Sequence, residues 1–345
     1  MQIGVEGVIP RVQLAPMEGV LDWVLRELLS EVGGFDRMVT EFVRVTDRLV
    51  PDHVFLRYCP ELANGGRTRA GVPVFVQLLG GQPGPMAENA FAVVERLGAL
   101  GVDLNFGCPA KTVNRHDGGA ALLKQPSRLY DVTRAVRKAV PEGVPVTAKV
   151  RLGFDNKDYH KEIACAVEEA GAAHIVVHAR TKMEMYQPPA HWEYIASMRE
   201  GRSIPFLANG EIWSLEDYRR CLSVCGVAPV ALGRGVVRRP TLAREILNEI
   251  KGVTAKIEFD RVDFLRRFFL ETLAYRGERY AVARFKQLLR YWSVDDAEAL
   301  LWFTRAKVYS SATEVSALLM EVGACPRYKF TPNPIAPIAS VPRIC

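Results

Sequence analysis

Between Arg11 and Leu232 eight short apolar runs alternate with stretches of helical spacing. The runs are 11–15, 38–40, 73–76, 102–104, 145–148, 174–177, 204–208 and 229–232. Segments such as Val20 to Glu31 and Met86 to Leu97 have helical spacing between them. Short β-rich runs separated by helices predict parallel strands. Each run also ends in residues that a hydrophobic core would not select. In order these are Pro16-Met17-Glu18-Gly19, Glu41, Gln77, Asn105 with Cys108, Lys149 with Arg151, His178-Ala179-Arg180-Thr181, Asn209-Gly210-Glu211 and Gly233-Arg234-Gly235. A polar end on every strand predicts an α/β fold of the (β/α)8 TIM-barrel type, whose active sites lie at the C-terminal mouth. The rival is a doubly wound open sheet, but no G-x-G-x-x-G opens the first helix.

After Gly252 the pattern changes. Phe264 to Leu273, Tyr280 to Trp292, Ala297 to Tyr309 and Thr313 to Val322 are amphipathic, with no strand between them. The expected organisation is a catalytic barrel over 1–252, an all-helical domain over 253–324 and a proline-rich tail over 325–345. A barrel of about 250 residues with an appendage fits the length.

No run approaches the ~18 apolar residues of a membrane span, and Met1 to Gly7 lacks the pattern of a signal peptide. The seven cysteines, at 59, 108, 165, 221, 225, 325 and 345, form no C-x-x-C pair. Their odd number and scatter suit reduced thiols in a cytoplasmic protein. Cys221 and Cys225 read as packing residues, and no metal site is expected, because zinc needs about four ligands. The net charge is +6, and most of it falls in one segment. From Arg261 to Arg290 eight basic side chains face three acidic ones. A local surplus of this kind attracts polyanions.

The segment Leu104-Asn105-Phe106-Gly107-Cys108-Pro109 puts a thiol on a turn at a strand mouth, a setting for a cysteine that acts on a ligand. Asn209-Gly210 and Gly233-Arg234-Gly235 end the last two strands, where this fold often binds phosphate through backbone N–H groups. Arg234 adds a forked cation. Gln77, Lys149 and His178 would line the wall, an amide, an ammonium and an imidazole that suit flavin mononucleotide. Lys149 can hold the negative charge that a reduced flavin gathers. Reducing an activated C=C bond takes a hydride on one carbon and a proton on the other. An unperturbed cysteine, with pKa about 8.5, is mostly thiol near pH 7 and can be that acid.

These motifs, with Ala15-Pro16-Met17, Lys149-Val150-Arg151 and Val177-His178-Ala179-Arg180-Thr181, resemble the tRNA-dihydrouridine synthases. The resemblance runs from about Arg11 to Leu319. Thr40-Glu41-Phe42-Val43-Arg44 and Ala283-Arg284-Phe285-Lys286-Gln287 resemble the bacterial C branch, expected to act on uridine 16 of the D-loop. The resemblance implies an FMN barrel, NADPH as reductant with NADH as an alternative, a helical tRNA-binding domain, and Cys108 as proton donor to C5 of uracil. By position it assigns Pro16, Met17, Glu18, Gln77, Lys149, His178, Asn209, Gly210, Glu211, Gly233 and Arg234 to the flavin. It assigns Arg44, Asn105, Arg151, Arg284, Lys286 and Lys307 to tRNA. Phe106 and His116-Asp117 depart from the family pattern beside the base. A tRNA partner, no DNA and a monomeric state are expected. Two other readings stay open at this point: an FMN enzyme acting on free pyrimidines, which leaves the basic helices idle, and a non-catalytic RNA-binding protein, which leaves Cys108 and Lys149 idle.

Overall fold

The computed structural model describes residues 9–323. The proline-rich tail read from the sequence lies outside the described residues, as does the segment before Ile9. Among the described residues the nine strands are β1 (Val12–Leu14), β2 (Arg37–Val39), β3 (Val43–Arg44), β4 (Val74–Leu79), β5 (Val102–Asn105), β6 (Val146–Arg151), β7 (Ile175–His178), β8 (Phe206–Asn209) and β9 (Val230–Leu232). All pair in parallel, and β1 bonds both β2 and β9. The pairing of β2 with β4 closes the ring, so eight strands make the barrel.

The ninth strand was not expected. After Val39 the chain passes through the polar Thr40-Glu41 and pairs again, Val43 with Leu78 and Arg44 with Leu79. The third apolar run also continues further than its pattern predicts, through Gln77 to Leu79. The amide of Gln77 is satisfied inside the barrel, so the strand need not end there.

Register decides which side chains fill the interior. Ala15, Val176, Leu207 and Ala231 cluster in the core. Val176 pairs with Lys149, and Lys149 with Asn105. Side chains two apart on a strand share a face. Asp103 therefore faces inward with Asn105, and its register partners Gln77 and Thr147 face inward with it. The same parity turns Arg151, His178 and Asn209 inward at the C-terminal end. The helix Trp23–Val32 starts at Asp22, whose carboxylate accepts from the Leu25 amide at 3.0 Å, satisfying one of the unpaired N–H groups of the first turn.

The chain divides into two compact units on either side of Ile257. The second contains helices Arg261–Arg276, Glu278–Trp292, Ala297–Ala306 and Ala312–Gly323. Asp260 caps the first of these and accepts from the Val262 and Asp263 amides at 3.0 and 2.9 Å. That helix runs from Arg261 to Arg276, beyond the apolar pattern at both ends. Phe259, Phe264, Phe268, Phe269, Phe285 and Trp292 supply aromatic packing in this unit. Among the described residues no helix is long and apolar enough to cross a membrane.

Candidate active site

Cys108 lies three residues beyond the end of β5, half-buried, at the barrel mouth. Its backbone is held from both sides. The Asn105 side-chain oxygen accepts the Gly107 and Cys108 amides at 3.0 and 2.9 Å. The Cys108 carbonyl accepts the Ala120 amide at 3.1 Å and the Asn114 side-chain amide at 3.0 Å. Gly119, at φ +59°, allows this close return; a Cβ there would lie 3.0 Å from the Cys108 carbonyl oxygen. Burial pushes the Cys108 thiol up, so it stays protonated at neutral pH.

Lys149 is the register partner of Asn105. Among the described residues it has no hydrogen-bonded partner, and burial together with the nearby Arg151 pushes it down to about 8. Arg151 is buried and engaged. Its Nε donates to the Gly107 carbonyl at 2.8 Å, and its Nη1 to the Thr181 and Met185 carbonyls at 3.0 and 2.8 Å. Expected at tRNA, it here ties the Cys108 turn to the loop after β7. Burial brings it to about 10.

His178 ends β7 with Lys149, Arg151, Arg180 and Arg234 around it. Burial first, then these four cations, holds its imidazole well below the usual range, so it is neutral. The Arg180 guanidinium faces Nε2 at 3.4 Å, which assigns that nitrogen as acceptor and leaves the proton on Nδ1. Gly210 packs against the ring: its φ is +113°, and a Cβ would lie 2.8 Å from His178 Cδ2. Asn209 donates to the Ala231 carbonyl at 2.7 Å and links the last two strand ends.

Glu211 is occupied by its neighbours. Its Oε2 accepts from Arg180 at 2.5 Å and from the Ala190 amide. Arg234, by contrast, forms no ion pair among the described residues. Its guanidinium lies 4.7 Å from the Tyr186 ring centroid and 5.2 Å from that of Trp213. Pro16 and Met17 are half-buried on the loop after β1, and Met17 Sδ would sit 3.6 Å from a Cβ at Gly233. Glu18 is exposed on the same loop, and Glu41 holds that loop by accepting the Gly19 amide at 2.5 Å.

The ends of β5, β6, β7 and β9 thus present at one mouth a protonated thiol, an ammonium with no hydrogen-bond partner among the described residues, a neutral imidazole and a guanidinium with no ion pair among them. A half-buried set with a cationic surplus suits an anionic ligand. A family model described as dihydrouridine synthase matches residues 13–299. The chain belongs to the dihydrouridine synthase family. As a dihydrouridine synthase it is a flavin-dependent oxidoreductase that reduces uridine in tRNA. A protein of Shewanella oneidensis named tRNA-dihydrouridine(16) synthase is 47% identical over 309 residues, 90% of this chain and 97% of that one. One of the same name from Pseudomonas putida is 48% identical over 311 residues, 90% of this chain and 96% of that one. Among solved structures, a 2-naphthoyl-CoA reductase complex aligns with a TM-score of 0.51 at 12% identity, covering 70% of this chain and 50% of that one. That likeness concerns the fold alone.

The other positions expected at tRNA fall in both units of this dihydrouridine synthase. Arg44 is exposed on β3 and Lys307 is exposed after the helix Ala297–Ala306. Asn105 is buried and spends its amide on the Cys108 turn and Gln77. Arg284 is buried, contacts Gln287 and lies 5.6 Å from the Phe268 ring centroid. Lys286 donates to the Tyr309 carbonyl at 2.9 Å. Three residues escaped the sequence reading. Asp103 sits inside an apolar run with its partners on other strands. Tyr186, 48% exposed, lies between Arg151 and Arg234 at 5.3 and 4.7 Å. Trp213 flanks Arg234. For Tyr186 the sequence offered only a lone aromatic in the loop after β7.

Proposed function

We propose that this protein reduces uridine 16 in the D-loop of tRNA to 5,6-dihydrouridine, using non-covalent FMN that NADPH re-reduces, with Cys108 as the proton donor to C5. The observation that carries this reading is the protonated, backbone-clamped Cys108 beside Lys149, an ammonium with no hydrogen-bond partner among the described residues. The relatives named tRNA-dihydrouridine(16) synthase support the choice of position.

The residues present fit a flavin phosphate. Gly210 and Gly233 leave the half-buried backbone of the last two strand ends without side-chain cover, and among the described residues Arg234 forms no ion pair. We assign the phosphate to Asn209, Gly210, Gly233 and Arg234, since backbone N–H groups and a forked cation recognise phosphate oxygens. Lys149, His178 and the remaining Gln77 amide hydrogen would hold the ring, with Pro16, Met17 and Glu18 along its edge. Glu211 acts through Arg180. When bound, the flavin supplies the hydride that goes to C6. Lys149 then sits where it offsets gathering negative charge, and neutral His178 donates or accepts a hydrogen bond without adding to the cationic load.

Cys108 does the proton work. Its thiol is kept protonated by burial, and its turn is fixed before substrate arrives. The Sγ proton passes to C5 as C6 accepts hydride, so the products balance as dihydrouridine and a thiolate that solvent reprotonates. A uracil inside folded tRNA reaches this mouth only by leaving its stack, at a cost of a few kcal/mol. Exposed Arg44 and Lys307 and the basic helices would offset that cost through phosphate contacts. We place the reaction in the cytoplasm with the protein as a monomer and no DNA partner.

The test is to incubate the purified protein with NADPH and an unmodified tRNA transcript and map dihydrouridine by mass spectrometry. Product at position 16 is expected. Product on free uridine but not on tRNA would favour the free-pyrimidine reading.

A further inference from the structure

We propose that Asp103 is a positioning residue for Cys108: its carboxylate fixes the hydrogen-bond direction of the Gln77–Asn105 amide pair, and so keeps the Asn105 oxygen on the Cys108 turn. This rests on the reading of Cys108 as the proton donor.

A buried chain of hydrogen bonds has two ends that set its direction. At one end stand the Gly107 and Cys108 amides, which can only donate. Both bond the Asn105 side chain, so its oxygen must face them. The Asn105 nitrogen is then left to face Gln77, at 2.8 Å, and Gln77 must answer with its oxygen. The Gln77 nitrogen in turn donates to Asp103 Oδ2 at 2.6 Å. All the links run one way. Turning either amide over would set oxygen against oxygen or nitrogen against nitrogen.

An amide has nearly the same shape in both orientations, so packing alone does not choose between them. The two backbone donors favour one orientation, and the acceptor at the far end locks both amides in it. Asp103 is 1% exposed. Burying a carboxylate is costly unless it is paired and hydrogen-bonded, and here it is supported on several sides. Thr147 donates its hydroxyl to Oδ1 at 2.5 Å. The charges of Lys149 and Arg37 favour the ionised form. Burial prevails and raises the carboxyl's pKa, and the Thr147 and Gln77 hydrogen bonds with the two cations limit that rise. The chain thus carries the direction set by a carboxylate through two neutral amides to the backbone under the reacting thiol.

The experiment is amide hydrogen exchange, resolved at Gly107 and Cys108, on the full-length flavin-loaded protein and its Asp103→Leu and Asp103→Asn variants. In Asp103→Leu the far acceptor is gone, and exchange at these two amides should rise about tenfold or more, as for a local bond that opens freely. The kcat for dihydrouridine formation should fall about tenfold or more, with the KM for tRNA unchanged, the pattern of a misplaced acid. Asp103→Asn can still present its oxygen to Gln77 while its nitrogen donates to Thr147, and should recover most of the lost protection and rate. Unchanged exchange at 107–108 in Asp103→Leu overturns the proposal. Equal loss in both variants also overturns it, because charge and not direction would then be at work. If Asp103→Leu does not fold, the comparison is Asp103→Asn with Asp103→Asn/Thr147→Val. Without the hydroxyl the new amide can turn over, so protection should drop; no drop overturns the proposal. A wild-type protein that makes no dihydrouridine sinks the proton-donor reading instead, and the exchange pattern still reports on Asp103.

Discussion

Arg128 grips Asp117 through two bonds of 2.6 Å, and its Nη2 also reaches the Gly81 carbonyl at 3.2 Å. The grip ties the far end of the Cys108 loop to the turn that follows β4. Asp117 has φ +58°, a region that short polar side chains tolerate and branched ones do not. Asp117 is 64% exposed, so the pair adds little to stability, about 0–1 kcal/mol. Its effect should show in rate. Arg128→Ala is expected to change Tm little and to lower the rate of dihydrouridine formation about threefold to tenfold, since a small misplacement of a catalytic group is costly. A large drop in Tm with an unchanged rate per folded molecule would contradict this.

Replacing Cys108 by Ala separates the two half-reactions. NADPH should still reduce the bound flavin at the wild-type rate, because the thiol takes no part in that step. Reduction of uridine should slow by about 10²-fold or more, the usual scale for a lost general acid. Single-turnover kinetics with pre-reduced enzyme reads the second step alone. Equal slowing of both half-reactions would make Cys108 a packing residue.

Arg234, which forms no ion pair among the described residues, gives a binding prediction. If it holds a phosphate, Arg234→Ala removes a charge-assisted hydrogen bond, about 1.5–3 kcal/mol. The flavin dissociation constant should then rise about tenfold to 150-fold, at 1.4 kcal/mol per decade. Fluorescence titration of the apoprotein with FMN and with riboflavin checks this. The two ligands should differ for wild type and converge for the variant.

Stability should also depend on pH through a group remote from the mouth. Glu27 is buried, and burial pushes its carboxyl up to about 7, against a partial offset by the Arg69 amide at 2.8 Å. Its neighbours Glu61 and Glu31 raise it further. The native state therefore binds a proton there that the unfolded chain, with an ordinary carboxyl near 4.5, has already lost. The resulting stability is complete below about pH 4.5 and is lost as pH rises through about 7. Glu27→Gln should match wild type in urea denaturation near pH 4.5 and exceed it by about 1–3 kcal/mol at pH 8. Equal stability of the two at pH 8 would place the Glu27 carboxylate among compensated charges.

How far the sequence could be read follows from where each signal lives. The eight barrel strands were legible because each carries its own apolar run. The mouth was legible because Lys149, His178 and Arg234 interrupt such runs at strand ends. β3 was not, because two residues hold no periodicity and only the register with Leu78 and Leu79 makes them a strand. Asp103 was not, because the partners that make its burial tolerable, Gln77 and Thr147, come from β4 and β6. In the helical unit the basic surplus was plain, but which side chains point outward was not. Arg284 packs near Phe268, and that contact belongs to tertiary structure.

That sorting of the basic residues leads to different expectations for Lys286 and Lys307. Lys286 donates to the Tyr309 carbonyl, so Lys286→Ala should loosen the end of the helical unit as well as weaken tRNA binding. Lys307 is exposed, and no such bond ties it down among the described residues. If it meets a phosphate, Lys307→Ala should leave Tm unchanged, weaken every tRNA alike and reduce the slope of log affinity against log salt by about one unit. Lys307→Arg should restore the slope, because the charge returns. Filter binding across a salt series, with flavin content and NADPH oxidation as controls, reads each part. An unchanged slope in Lys307→Ala would remove this side chain from the RNA surface and leave the exposed Arg44 as the next position to test.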